Sequence, residues 1–160
     1  MESKLNELWA KVKDDWCYPL SEGVYRATES PIEQLLLLGL LSNLACFDIE
    51  YLKDGAGFKE LFTAYNGYWK IEPQVDITPK IRVDFLILIK EYPHLKIVVE
   101  CDGHDFHEKT KEQARRDKSR DRELVKLGFT ILHYTGSEIY NNPEKCYQDI
   151  EELSAMEYKK

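Results

Sequence analysis

Two short apolar runs, Arg82 to Lys90 and Lys96 to Cys101, constrain this chain more than any other feature, because only the segment around Tyr92-Pro93-His94 separates them. Both are rich in Val, Ile, Leu and Phe, and their spacing predicts an antiparallel hairpin within a sheet. Side chains alternate along a strand, so Ile97, Val99 and Cys101 share one face of the second run while Val98, Glu100 and Asp102 share the other. Asp84 interrupts the first run and is expected opposite Val83, Phe85 and Ile87. The second run ends abruptly in Glu100-Cys101-Asp102-Gly103-His104-Asp105-Phe106-His107. So many titratable groups at a strand end mark a functional site, since a buried charge forfeits its hydration unless a metal or partner replaces the water.

The remaining chain reads as helices around that hairpin. Leu5, Leu8, Trp9, Val12 and Trp16 have helical spacing, and residues 1–28 are expected to form a helical extension. Ser21 to Ser30 is polar and turn-prone. Ser30-Pro31-Ile32-Glu33 then opens a helix whose Leu35 to Leu41 stretch is apolar nearly all round and therefore central. A strand is expected at Asp48 to Leu52, followed by a turn around Asp54-Gly55-Ala56-Gly57. Pro73 marks Ile71 to Ile77 as an edge or irregular strand. A helix from Glu108 to Leu127, stopped by Gly128, leads to a strand at Thr130 to Tyr134 and a closing helix from Pro143 to Met156. The expectation is an α/β fold, with residues 29–160 forming one compact unit built on a small mixed central sheet flanked by helices.

Function is bounded by charge and by absences. No apolar run approaches the ~20 residues of a membrane span, and the start of the chain lacks signal-peptide character, so a cytoplasmic location is expected. Four scattered cysteines read as reduced thiols. The net charge of -7 argues against a generic basic nucleic-acid binder. Yet Lys111, Arg115, Lys118 and Arg122 recur at helical spacing and form one basic stripe. The stripe is either a nucleic-acid-binding surface or a solvated face paired with Glu112, Asp117, Asp121 and Glu123. In the hairpin, Asp84 falls beside Glu100, and two such carboxylates repel unless a divalent cation lies between them. Asp84, Glu100 and Asp102 thus offer hard oxygen ligands to Mg²⁺ or Mn²⁺.

With these residues in view, the chain resembles the PD-(D/E)XK nuclease superfamily, and within it the small domains related to the very-short-patch-repair endonuclease. The resemblance runs from about Ser30 to Glu152 and is carried by Ser-Pro-Ile-Glu at 30 to 33, Pro73-Gln74, Arg82-Val83-Asp84-Phe85, Val99 to His104, Phe106-His107, Asp117 with Arg120-Asp121, Gly128, and Thr135 to Ile139. It implies a restriction-endonuclease-like fold with Asp84 and Glu100 as paired metal ligands and Glu33 as an additional acidic ligand. The superfamily usually has Lys two residues after the Glu, where this chain has Asp102. An aspartate there can ligate a metal or act as a base but cannot offset developing negative charge. His104, His107 and Lys111 are the candidates for the missing role, with Gln113 as an orienting group.

Plainer roles compete for several of these residues. Glu33 completes a capping box with Ser30, Asp102 can cap the turn through Gly103, and His104 with His107 can form a zinc pair. Asp121 is expected to be structural, bonded to a buried donor. Tyr65, Tyr68 and Trp69 either stack on bases or fill a core. The reading that unites the most residues is a metal-dependent endonuclease acting on DNA in a repair, restriction or mobile-element setting. Its rival is a catalytically silent nucleic-acid-binding or protein-interaction module that keeps the fold. Either is compatible with a homodimer or a protein partner, and neither involves a membrane.

Overall fold

The structure, a computed structural model, describes residues 3, 4, 6, 17–44, 47–54, 57–64, 68–102 and 110–159. The expected helix from Leu5 to Trp16 lies almost wholly outside them. In chain order the elements are α1 (Cys17–Ala27), α2 (Pro31–Leu41), β1 (Phe47–Asp54), β2 (Gly57–Ala64), β3 (Trp69–Thr78), β4 (Ile81–Ile89), β5 (Lys96–Asp102), α3 (Lys111–Lys126), β6 (Phe129–Thr135), α4 (Gly136–Asn141) and α5 (Lys145–Tyr158). No helix among the described residues is long and apolar enough to cross a membrane.

Six strands form one sheet in sequential order, antiparallel throughout except that β5 and β6 run parallel. A parallel pair needs a crossover, and α3 supplies it on one face of the sheet. There Leu124 packs with Ile81, Val83, Leu86 and Val98. On the other face α2, apolar from Leu35 to Leu41, lies with α1, α4 and α5 over Phe85, Ile87, Ile97 and Val99. This is the expected α/β arrangement, with the hairpin inside the sheet between β3 and β6.

Four local expectations change. The stretch from Ser21, read as turn-prone, continues as α1 to Ala27; its Pro19 falls in the first helical turn, where a missing N–H costs nothing. The Phe47 to Ala64 region is a full hairpin, β1 with β2, whose register closes at Asp54 with Gly57; the middle of the expected turn lies outside the described residues. Pro73 does not sit on an edge strand, since β3 lies between β2 and β4. Its irregularity takes another form: Gln74, the next residue, has φ 51°, a left-handed conformation costly for a side chain of its kind. Helix α3 is shorter than expected because Thr110 and Gln113 form a capping box. Gly128 at φ 85° ends it.

A candidate carboxylate site at the strand ends

The sheet register assembles the site along one line. Gln74 and Asp84 face each other between the pairs Pro73 with Phe85 and Val75 with Val83. Asp84 precedes Phe85, which pairs with Val99, and Glu100 stands opposite His133. Along this line the alternation of faces changes sense. Ile71, Phe85 and Ile87 belong to the cluster under α2, whereas Val75 and Val83 belong to the one under α3. Asp84 is therefore not simply opposite Val83, Phe85 and Ile87, because an unbroken alternation would keep those three together. It sits at the crossing point. The antiparallel ladder stops at Phe85 with Val99, and Asp84 Oδ2 accepts a further amide, the Cys101 N–H, at 2.7 Å.

Burial raises the Asp84 pKa above the usual carboxylate range; the Cys101 N–H opposes this, and the charge of Glu33 reinforces it. Glu100 is also buried, with its side chain 10% exposed. Burial and then the charge of Asp84 push it up to about 7, against a hydrogen bond from Arg120. Arg120 Nη2 lies 2.6 Å from Glu100 Oε1 and also donates to the Arg82 carbonyl. Among the described residues no hydrogen bond reaches Asp84 Oδ1 or Glu100 Oε2.

The other expected residues divide. Asp102 does leave β5 on the Glu100 side and lies 3.2 Å from His133 Nδ1. Glu33 has both oxygens committed within the protein: Oε1 accepts from Ser30 Oγ at 2.6 Å, and Oε2 accepts from the Glu29 N–H and Gln74 Nε2, each at 2.8 Å. Ser30 caps α2 by accepting the Glu33 N–H, but the Glu33 carboxylate takes the Glu29 N–H and not that of Ser30, so the expected capping box does not close; through Gln74 the carboxylate ties β3 to α2. Gln113 is likewise occupied in the Thr110 cap. Lys111, Arg115, Lys118 and Arg122 are all exposed, with no ion pair among the described residues; Lys118 also lines the cavity described below. Lys111 opens α3 and lies outside that lining. His104 and His107 fall outside the described residues, as does Tyr65. Trp69 is core, stacked on Tyr147 with ring centroids 5.7 Å apart.

Asp121 departs from expectation. Its Oδ1 is buried without a hydrogen-bond partner among the described residues, and His133 Nε2 lies 3.4 Å away. His133 thus sits between two carboxylates and can donate to both only as an imidazolium. Glu100, Asp102, Arg120, Asp121 and His133, with Lys118, line a cavity of about 320 Å³. Neither Arg120 nor His133 is singled out for the site by the sequence. Both are legible through period: Arg120 shares the sheet-facing side of α3 with Asp117, Asp121 and Leu124, and His133 shares a face of β6 with Phe129 and Ile131.

The donor set suits a hard divalent cation in part. Two carboxylates from adjacent strands, each destabilised as an anion and each with an oxygen to spare, are what such an ion neutralises. Among the described residues, no three His, Cys, Asp or Glu side chains converge closely enough to enclose one, so an ion here would meet an open pair of oxygens and no closed cage.

No curated protein and no solved structure matches the chain. A family model does, over residues 60–153, more than half of the chain and spanning Asp84, Glu100, Arg120 and His133. The chain therefore belongs to the restriction-endonuclease-like family REase_MTES_1575.

Proposed function

We propose that this protein is a divalent-metal-dependent nuclease that hydrolyses phosphodiester bonds in DNA, with Asp84 and Glu100 as its metal ligands. The observation that carries the reading is that these two carboxylates share one level of adjacent strands and are both shifted toward the neutral form. Membership of a restriction-endonuclease-like family supports the reaction class. A divalent ion held there would supply Lewis-acid charge to the phosphate and lower the pKa of bound water.

The chain's own residues divide the remaining work. Asp84 is fixed by the Cys101 amide, so its free oxygen keeps one direction. Asp102, standing where a Lys is expected, orients His133 through Nδ1. The exposed stripe on α3 contacts the sugar-phosphate backbone without reading sequence.

Cleavage assays on single-stranded, duplex, mismatched and branched DNA in Mg²⁺ and Mn²⁺ test the proposal, with Asp84→Ala and Glu100→Ala as controls. Loss of cleavage in both variants is expected. Cleavage unchanged in both would remove the site from the reaction. Calorimetry that finds no Mg²⁺ or Mn²⁺ binding to the intact chain would instead favour a silent binding module.

A further inference from the structure

A pair of carboxylates that receives a phosphodiester gathers negative charge on both sides, and Asp102 and Asp121 in the same cavity add to it. Arg120 is in contact with one of the pair, its Nη2 lying 2.6 Å from Glu100 Oε1. We propose that Arg120 contacts the phosphate of the substrate directly, gripping a nonbridging oxygen while it remains anchored to Glu100. This rests on the phosphodiester reading above and gives that site its phosphate-binding group.

Three features of the site point to this role. Arg120 reaches the carboxylates from α3, across the cavity, with its side chain 28% exposed, so it is seated but open to a ligand. Its anchors, Glu100 Oε1 and the Arg82 carbonyl, both use Nη2. A guanidinium carries five N–H donors in a fixed fork, and those on Nη1 and Nε make no hydrogen bond among the described residues. Such a fork matches the oxygens of a phosphate in bidentate fashion, which an ammonium group cannot do. The anchoring also fixes direction: a guanidinium clamped between β4 and β5 needs no reorganisation when charge develops in front of it.

Removing Arg120 from the native chain would strand the buried Glu100 charge, so binding is tested first without that charge. In EDTA, fluorescence anisotropy of a labelled DNA duplex compares Glu100→Gln with the double variant Glu100→Gln/Arg120→Gln. The expected result is roughly tenfold weaker binding by the double variant and a slope of log K against log salt that is shallower by about one. In the otherwise native chain, Arg120→Gln is expected to lower kcat by about a hundredfold, with part of the loss recovered in Arg120→Lys. Equal affinities and equal slopes for the single Glu100→Gln variant and the double variant, or an undiminished kcat in Arg120→Gln, would overturn the assignment while leaving the nuclease reading in place. Absence of both DNA binding and cleavage in the wild-type chain would overturn both.

Discussion

Glu100 should make the metal-free protein lose stability as pH rises through the neutral range. Burial and the charge of Asp84 lift its pKa from 4.5 to about 7 in the folded chain. Between those values the folded state binds the proton more tightly than the unfolded state, so stability must fall with increasing pH. The contribution is fully present below about pH 4.5 and gone above about pH 7. At about 1.4 kcal/mol per pH unit, the rise is worth about 3 kcal/mol. Little of this is lost to solvent screening, because the side chain is only 10% exposed. Glu100→Gln removes the titration yet keeps an oxygen for the Arg120 hydrogen bond. The variant should therefore gain about 3 kcal/mol on the wild type between about pH 4.5 and pH 8. Urea denaturation in EDTA, followed by tryptophan fluorescence across that range, measures the gain directly. Mg²⁺ added at the alkaline end should stabilise the wild type by mass action and leave Glu100→Gln largely unaffected. Parallel pH profiles for the two proteins would refute the reasoning, since they would mean that Glu100 titrates alike in the folded and unfolded states.

Gly39 packs against the chain between α4 and α5, where an added Cβ would lie 2.0 Å from the Pro143 carbonyl oxygen. Gly39→Ala should cost about 3 kcal/mol, read as a fall of roughly 6–12 °C in Tm. At Gln74, Ala loses the hydrogen bond to Glu33 and keeps the left-handed backbone, whereas Gly loses the bond but relieves the strain. Gln74→Gly should therefore be more stable than Gln74→Ala by about 1 kcal/mol in denaturant titrations. Replacing Lys111, Arg115, Lys118 and Arg122 together by Ala should lower the salt slope of duplex binding by about three to four and leave Tm nearly unchanged, since all four are exposed.

The hairpin and its carboxylates were readable because local signals agreed: β-branched runs, a short proline-containing connection and a period of two each point to the same pairing. The expected Mg²⁺-type pair on β4 and β5 follows from that pairing alone. Glu33 shows the opposite case. Its place beside the Ser30 cap was visible in Ser-x-x-Glu, but its grip on Gln74 spans 41 residues and depends on a left-handed backbone after Pro73. Proline in a strand signals only that the ladder is interrupted. It does not say whether the chain responds by leaving the sheet or by bulging within it. Arg120 and His133 were obscured for a different reason. Arg120 sits among several other basic residues, and only the choice of helix face separates it from the solvated stripe. His133 has a functional setting only because β6 lies parallel to β5, in a register that no local pattern encodes.

On the proposed function, the two sides of α3 have distinct tasks that meet at one residue. Arg120 and Asp121 face the cavity, while Lys111, Arg115, Lys118 and Arg122 face outward; Lys118 also lines the cavity. A helix with its side chains is about 10 Å across, so the outward stripe and the cavity-facing Arg120 are separated by about one helix width. On the nuclease reading, a strand tracked by the stripe descends past Lys118 to Arg120, passing from exposed, salt-screened charges to a seated one. Attraction along the stripe is then sequence-independent and weakened by salt, whereas the grip at Arg120 acts in a half-buried setting where charge is screened less. On that reading, because both sides belong to one capped helix, a change in how α3 packs through Leu124 would alter recruitment and chemistry together.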